Sequence, residues 1–151
     1  MGAKRRSERG TALVEFALVL PFLAVLVFGT IDIGRAYQLE NRLKNAAREG
    51  GRMAQVSPAQ VDNSGTACAD PNNIVYAATH EEAAAAGNYT VTVTRLDTNA
   101  VLTGCSTAAL PGGTHVQVKV SAPFKVLTPL VGIVTGSSMT VSGTQEVVVQ
   151  G

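Results

Sequence analysis

The chain has 151 residues, a formal net charge of +1 and 46% hydrophobic residues. That balance provides no global field to recruit nucleic acid. With no tryptophan and only seven Phe or Tyr residues, the chain also offers little for base stacking. The length suits one small domain with an appendage.

Residues 1–10, MGAKRRSERG, form a basic leader carrying Lys4, Arg5, Arg6 and Arg9 against one acid, Glu8. From Phe16 to Ile31 sixteen residues carry no charge. With Thr11–Val14 the stretch reaches about 20 residues, enough to cross a ~30 Å hydrocarbon core as a helix. A cleavable secretory signal would place an A-x-A-like site after this run. DIGRAYQLENR stands there instead, so an anchor that stays in the protein is expected. The four basic residues of the leader lie within seven positions of the run, and only Arg35 is that close on the other side. This asymmetry predicts a cytoplasmic N-terminus with the remainder outside.

Glu15 interrupts the apolar stretch. A carboxylate at the bilayer centre costs about 2.5–3.5 kcal/mol on insertion scales, and less near a helix end. The plain reading is an interfacial acid complementing a helix N-terminus. Its spacing allows a sharper one: Gly10 is followed by four residues, then Glu15 and Phe16.

G-x-x-x-x-E-F between a basic leader and an apolar helix resembles the processing site of type IV prepilin-like proteins. The longer string from Glu8 to Ala54 is similar to TadE-like pilus assembly proteins of the Tad/Flp branch. It has an opening over Arg9–Pro21, an exit over Gly29–Ala36 and a helix end over Ala46–Arg52. The resemblance implies a pilin-like component of the inner membrane, cut between Gly10 and Thr11 by a prepilin peptidase. It also implies that Glu15 and Phe16 serve assembly and register. The implied partners are other pilin-like subunits, an inner-membrane assembly platform and membrane lipid, with no nucleic acid. A cut after Gly10 would leave an α-amino group on Thr11, mostly cationic at neutral pH. Thr11 and Glu15 are four apart and share a helix face. The carboxylate could then meet its own amine or that of a neighbour. Pro21 removes one helix hydrogen bond, and reads either as a kink or as a tolerated membrane proline.

Beyond the exit, Leu39, Leu43, Ala46, Ala47, Gly50, Met53 and Ala54 recur at helical intervals. Small residues in this stripe permit close approach. Packing on the chain's own sheet is expected, with a partner helix as the second choice. Ser57-Pro58 is a stop signal. One helix is therefore expected from about residue 11 to about residue 56, close to 70 Å long.

Residues 57–74 read as a loop holding Cys68, and Ile74–Ala86 as a short helix closed by Gly87-Asn88. Tyr89–Leu96, His115–Phe124 and Met139–Val149 read as strands, the first two from clear alternation. Residues 97–113 form a loop holding Cys105, and Leu127–Val134 an apolar connection or short helix lying on the sheet or on a membrane surface. Val116–Leu130 also resembles the tail of TadE-like domains. Cys68 and Cys105 would close a loop of 36 intervening residues if bonded. In the chain-entropy model such a bridge contributes roughly 3–4 kcal/mol. The other reading is two reduced cysteines.

No catalytic constellation stands out. His80-Glu81-Glu82 begins like H-E-x-x-H, but Ala84 occupies the second ligand position, and His115 stands alone. Asn88-Tyr89-Thr90 matches a glycosylation sequon, a motif common by chance. A non-enzymatic chain with no metal and no cofactor is expected. The fold class is α+β: a long N-terminal helix, half transmembrane and half amphipathic stalk, packed on an antiparallel sheet of about three strands. The expected divisions are a leader at 1–10, a transmembrane helix at 11–34, its amphipathic continuation at 35–56 and an extracytoplasmic domain at 57–151. The alternative function is an uncleaved bitopic scaffold or adaptor with an exported domain, unrelated to pili.

Overall fold

A computed structural model describes residues 4–57, 61, 73–80, 89–104, 110–128, 132, 136 and 138–150. The elements, in chain order, are α1 (Lys4–Val56), α2 (Ile74–His80), β1 (Thr90–Arg95), β2 (Ala100–Leu102), β3 (His115–Lys125) and β4 (Ser138–Val148). The α+β class holds. The chain divides into two compact units, residues 1–35 with 125–139 and residues 36–124 with 140–151.

In the second unit the strands form one sheet in the order β2-β1-β3-β4. β1 runs antiparallel to both β2 and β3, with Val91 opposite Val120 and Val93 opposite Val118 and Leu102. The ends of β3 and β4 are joined by backbone bonds from Gly113 N–H to Val149 O (3.0 Å) and from Val149 N–H to Thr114 O (2.9 Å). Along β3, residues 116, 118, 120, 122 and 124 are buried and their neighbours are not, the period of two that a half-buried strand requires. Pro123 lies beyond the pairing with β1, which ends at Ser121, so its missing N–H removes no bond from that ladder.

The second half of α1 covers this sheet. Leu43, Ala46, Ala47 and Ala54 share one core with Val91, Val93, Val116, Val118, Val120 and Val147. Packing on the chain's own sheet is thus the outcome, and its closeness depends on glycine. A Cβ on Gly50 would come within 2.9 Å of Ala78 Cβ and 3.1 Å of Val118 Cγ1. One on Gly143 of β4 would land on the main chain of Leu43 and Lys44. Helix and strand meet there backbone to backbone. Gln150 N–H closes the arrangement by donating to Gln55 O at 3.1 Å.

α2 begins where expected, at Ile74, because Asn73 caps it. Its side-chain oxygen accepts from Tyr76 N–H at 2.7 Å. Residues 81–86 of the expected helix lie outside the described residues.

Two differences from expectation have plain causes. The sheet has four strands where about three were expected. β2 is a three-residue edge strand inside the expected 97–113 loop, reached through a turn at 96–99 with Asn99 at φ 53°. Three residues are too few to show alternation, and asparagine is the residue type that best tolerates such a φ after glycine. The second difference is that α1 starts at Lys4, so most of the leader is helical. Lys, Arg and Glu are good helix formers, and one glycine at about 1 kcal/mol does not stop a long helix.

Candidate functional site: the apolar helix and its exit

The first unit contains the apolar half of α1. Its large side chains are exposed on every side: Leu13 69%, Phe16 64%, Phe22 75% and Leu26 69%. Phe16, Leu20, Leu23 and Val27 line one shallow face, and Phe22, Val25 and Leu26 another. A helix that is apolar all round must be covered by something other than water. Its most apolar 18-residue window has a mean hydropathy of 2.5, with none of it buried within the chain. α1 is long and apolar enough to cross a bilayer, which supports a single-pass membrane protein.

Gly10, Thr11, Glu15 and Phe16 occupy consecutive turns near the start of this half. The Gly10–Thr11 bond lies inside the helix, and an added Cβ at Gly10 would meet nothing within 4 Å. Thr11 and Glu15 are both exposed, one turn apart. Pro21 sits within continuous helix. Cys68 and Cys105 lie outside the described residues. His80 is exposed at the end of α2, its ring stacked on Tyr76 at 4.3 Å, and His115 is exposed at the start of β3.

The structure adds Asp32, one residue past the apolar run. It is 5% exposed. Its carboxylate accepts from Leu127 N–H at 3.2 Å, Thr128 N–H at 2.9 Å and the Thr128 hydroxyl at 2.7 Å. Arg35 adds a guanidinium contact at 3.1 Å. Gly132 N–H bonds back to Thr128 O at 3.0 Å. Asp32 thus gives the Leu127 and Thr128 N–H groups an acceptor. It does so from 95 and 96 positions away in the chain. The sequence carries a partial signal. An acid directly after an apolar run, with an arginine three residues on, needs buried partners or solvent. Which partners it finds depends on the tertiary fold.

Elsewhere, the Arg95 guanidinium bonded to Asp97 holds that carboxyl below its ordinary range. The pair sits at the exposed β1–β2 turn, and salt-screened pairs of this kind contribute little.

Comparison with known families matches residues 10–52 to the TadE-like proteins. The segment contains Gly10, Glu15, the apolar run, Asp32 and the helix stripe through Gly50. No curated protein and no solved structure matches the chain.

Proposed function

From residues 10–52 as a TadE-like segment, we propose that the chain is a minor pilin-like component of a Tad/Flp pilus assembly or secretion system. The observation that carries this reading is an uncovered apolar helix with Glu15 one turn after Thr11, inside the matched segment. In this reading a prepilin peptidase cuts after Gly10 on the cytoplasmic side of the inner membrane. The domain of unit two faces the periplasm. The new amine on Thr11 and the carboxylate of Glu15, its own or a neighbour's, form a matched pair in low dielectric. An unmatched charge there is strongly disfavoured, so the pair selects the register in which helices bundle. Phe16 packs beside it. The role is structural and needs no cofactor. The partners are other pilin-like subunits and the assembly platform.

Glu15→Ala is expected to leave membrane insertion unchanged and to abolish pilus assembly, read by electron microscopy of sheared filaments. Normal filaments in that variant would overturn the register role.

A second reading, an uncleaved bitopic scaffold, draws support from the helical Gly10–Thr11 bond, since peptidases bind extended chain. Mass spectrometry of the membrane-extracted protein separates the two. A mature N-terminus at Thr11 supports the pilin-like reading, and an intact leader the scaffold.

A further inference from the structure

We propose that Leu127 forms a second membrane contact, a foot at the lipid headgroup–acyl boundary held in place by Asp32. The inference rests on α1 being a membrane span and is independent of any role in pili.

Leu127 is 66% exposed, yet its backbone is not free to withdraw. Its N–H and that of Thr128 both donate to the Asp32 carboxylate. A large apolar side chain is thus fixed in an exposed position beside the turn of α1 that ends the apolar run. Ile31 and Ile33, on either side of Asp32 in sequence, are exposed too, at 48% and 71%. From Leu127 to Val134 the sequence carries no charge. Basic residues stand at the edge of this patch: Arg35 on α1, and Lys125 two positions before Leu127. Apolar residues flanked by Arg and Lys match the membrane boundary, where aliphatic groups enter the acyl region and cationic heads reach phosphates. The patch also continues the exposed surface of the apolar helix.

The bonding of Asp32 fits the same setting. A carboxylate at the edge of a bilayer needs its charge matched. Asp32 has two backbone donors, one hydroxyl and one guanidinium. It can therefore stay at that depth while holding the foot against the helix. A neighbouring subunit is the other conceivable cover, but the basic rim and the continuity with the span favour lipid.

The absence of tryptophan allows a clean test in the full chain, reconstituted into phosphatidylcholine–phosphatidylglycerol vesicles. Leu127→Trp reports on the foot and Leu23→Trp on the span. With shallow-brominated lipid, Leu127→Trp is expected to lose most of its emission and to resist aqueous iodide. Adding Asp32→Ala should restore its emission, while Asp32→Ala with Leu23→Trp stays quenched by deep-brominated lipid, showing that the span still inserts. Iodide quenching of Leu127→Trp beside a lipid-quenched Leu23→Trp would overturn the foot. So would shielding of Leu127→Trp from both quenchers, which would mean a protein cover. Quenching by lipid that persists without Asp32 would overturn its holding role. A Leu23→Trp reporter unquenched by lipid would remove the membrane span and the foot together.

Discussion

Between residues 13 and 28, α1 leaves its Leu and Phe side chains and every Val but Val25 about half exposed or more; between 43 and 54 it buries Leu43, Ala46, Ala47 and Ala54 almost completely. One helix thus leaves most of its large apolar residues uncovered in its first half and, in its second, buries Leu43 beside a row of alanines. Hydrophobicity alone does not decide burial in this chain. The second half is buried because small residues let the helix backbone come close to a sheet, where dispersion contacts are dense. The first half has side chains too large and too evenly distributed for such an approach. They fit a fluid apolar surrounding or the grooves of other apolar helices.

This contrast can be broken by substitution. Gly143→Val should have the largest effect, about 3 kcal/mol of lost stability in the second unit, because the added atoms meet main chain that cannot rotate away. Hydrogen exchange at the Val93 and Val118 amides in detergent would read it, since these strands open only with the unit as a whole. Wild-type protection in that variant would show that helix and strand do not meet so closely. Leu43→Ala should follow at roughly 2–3 kcal/mol by the same measurement, since Leu43 is fully buried. Leu26→Ala in the exposed half should leave those amides unchanged, and equal effects at both sites would erase the distinction between the halves. The smallest effect belongs to the β1–β2 turn. Asp97 has a lowered pKa in the folded chain, so its contribution is present above the unfolded carboxylate's range of about 4 and fades as pH falls through the folded value. Asp97→Asn should remove that slight acid sensitivity from β1–β2 amide exchange and leave neutral-pH exchange nearly unaltered. A large change at neutral pH would show the turn to be more important than an exposed pair allows.

Local chemistry made much of the fold legible. Ser57-Pro58 marks the end of α1, the alanine-rich run from Ile74 marks α2, and the valines of β3 alternate without interruption. The processing-type motif at Gly10–Phe16 and the exit at Gly29–Ala36 fall inside the matched segment. What was not legible depends on partners distant in the chain or on elements too short to carry a pattern. Asp32 reads as a boundary acid until Leu127 and Thr128 come to it through the fold. β2 reads as loop because its pairing with β1, and not its composition, makes it a strand. The early start of α1 was hidden by Gly10, whose local cost is outweighed by the helix formers around it.

The Gly143 contact has a mechanical consequence. Side chains that pack against one another can yield to force by changing rotamer, and so let one element slip past another by small steps. Main chain resting on main chain has no such freedom. If α1 slid along the sheet, Leu43 and Lys44 would leave the gap at Gly143 and strike the side chain of Val141 or Gln145, which share its face of β4. An axial load on this half of α1 therefore passes into β4 at a hard stop, and through the ladder into β3. Helix and sheet take up tension as one body, with the missing side chain of a glycine setting where they lock.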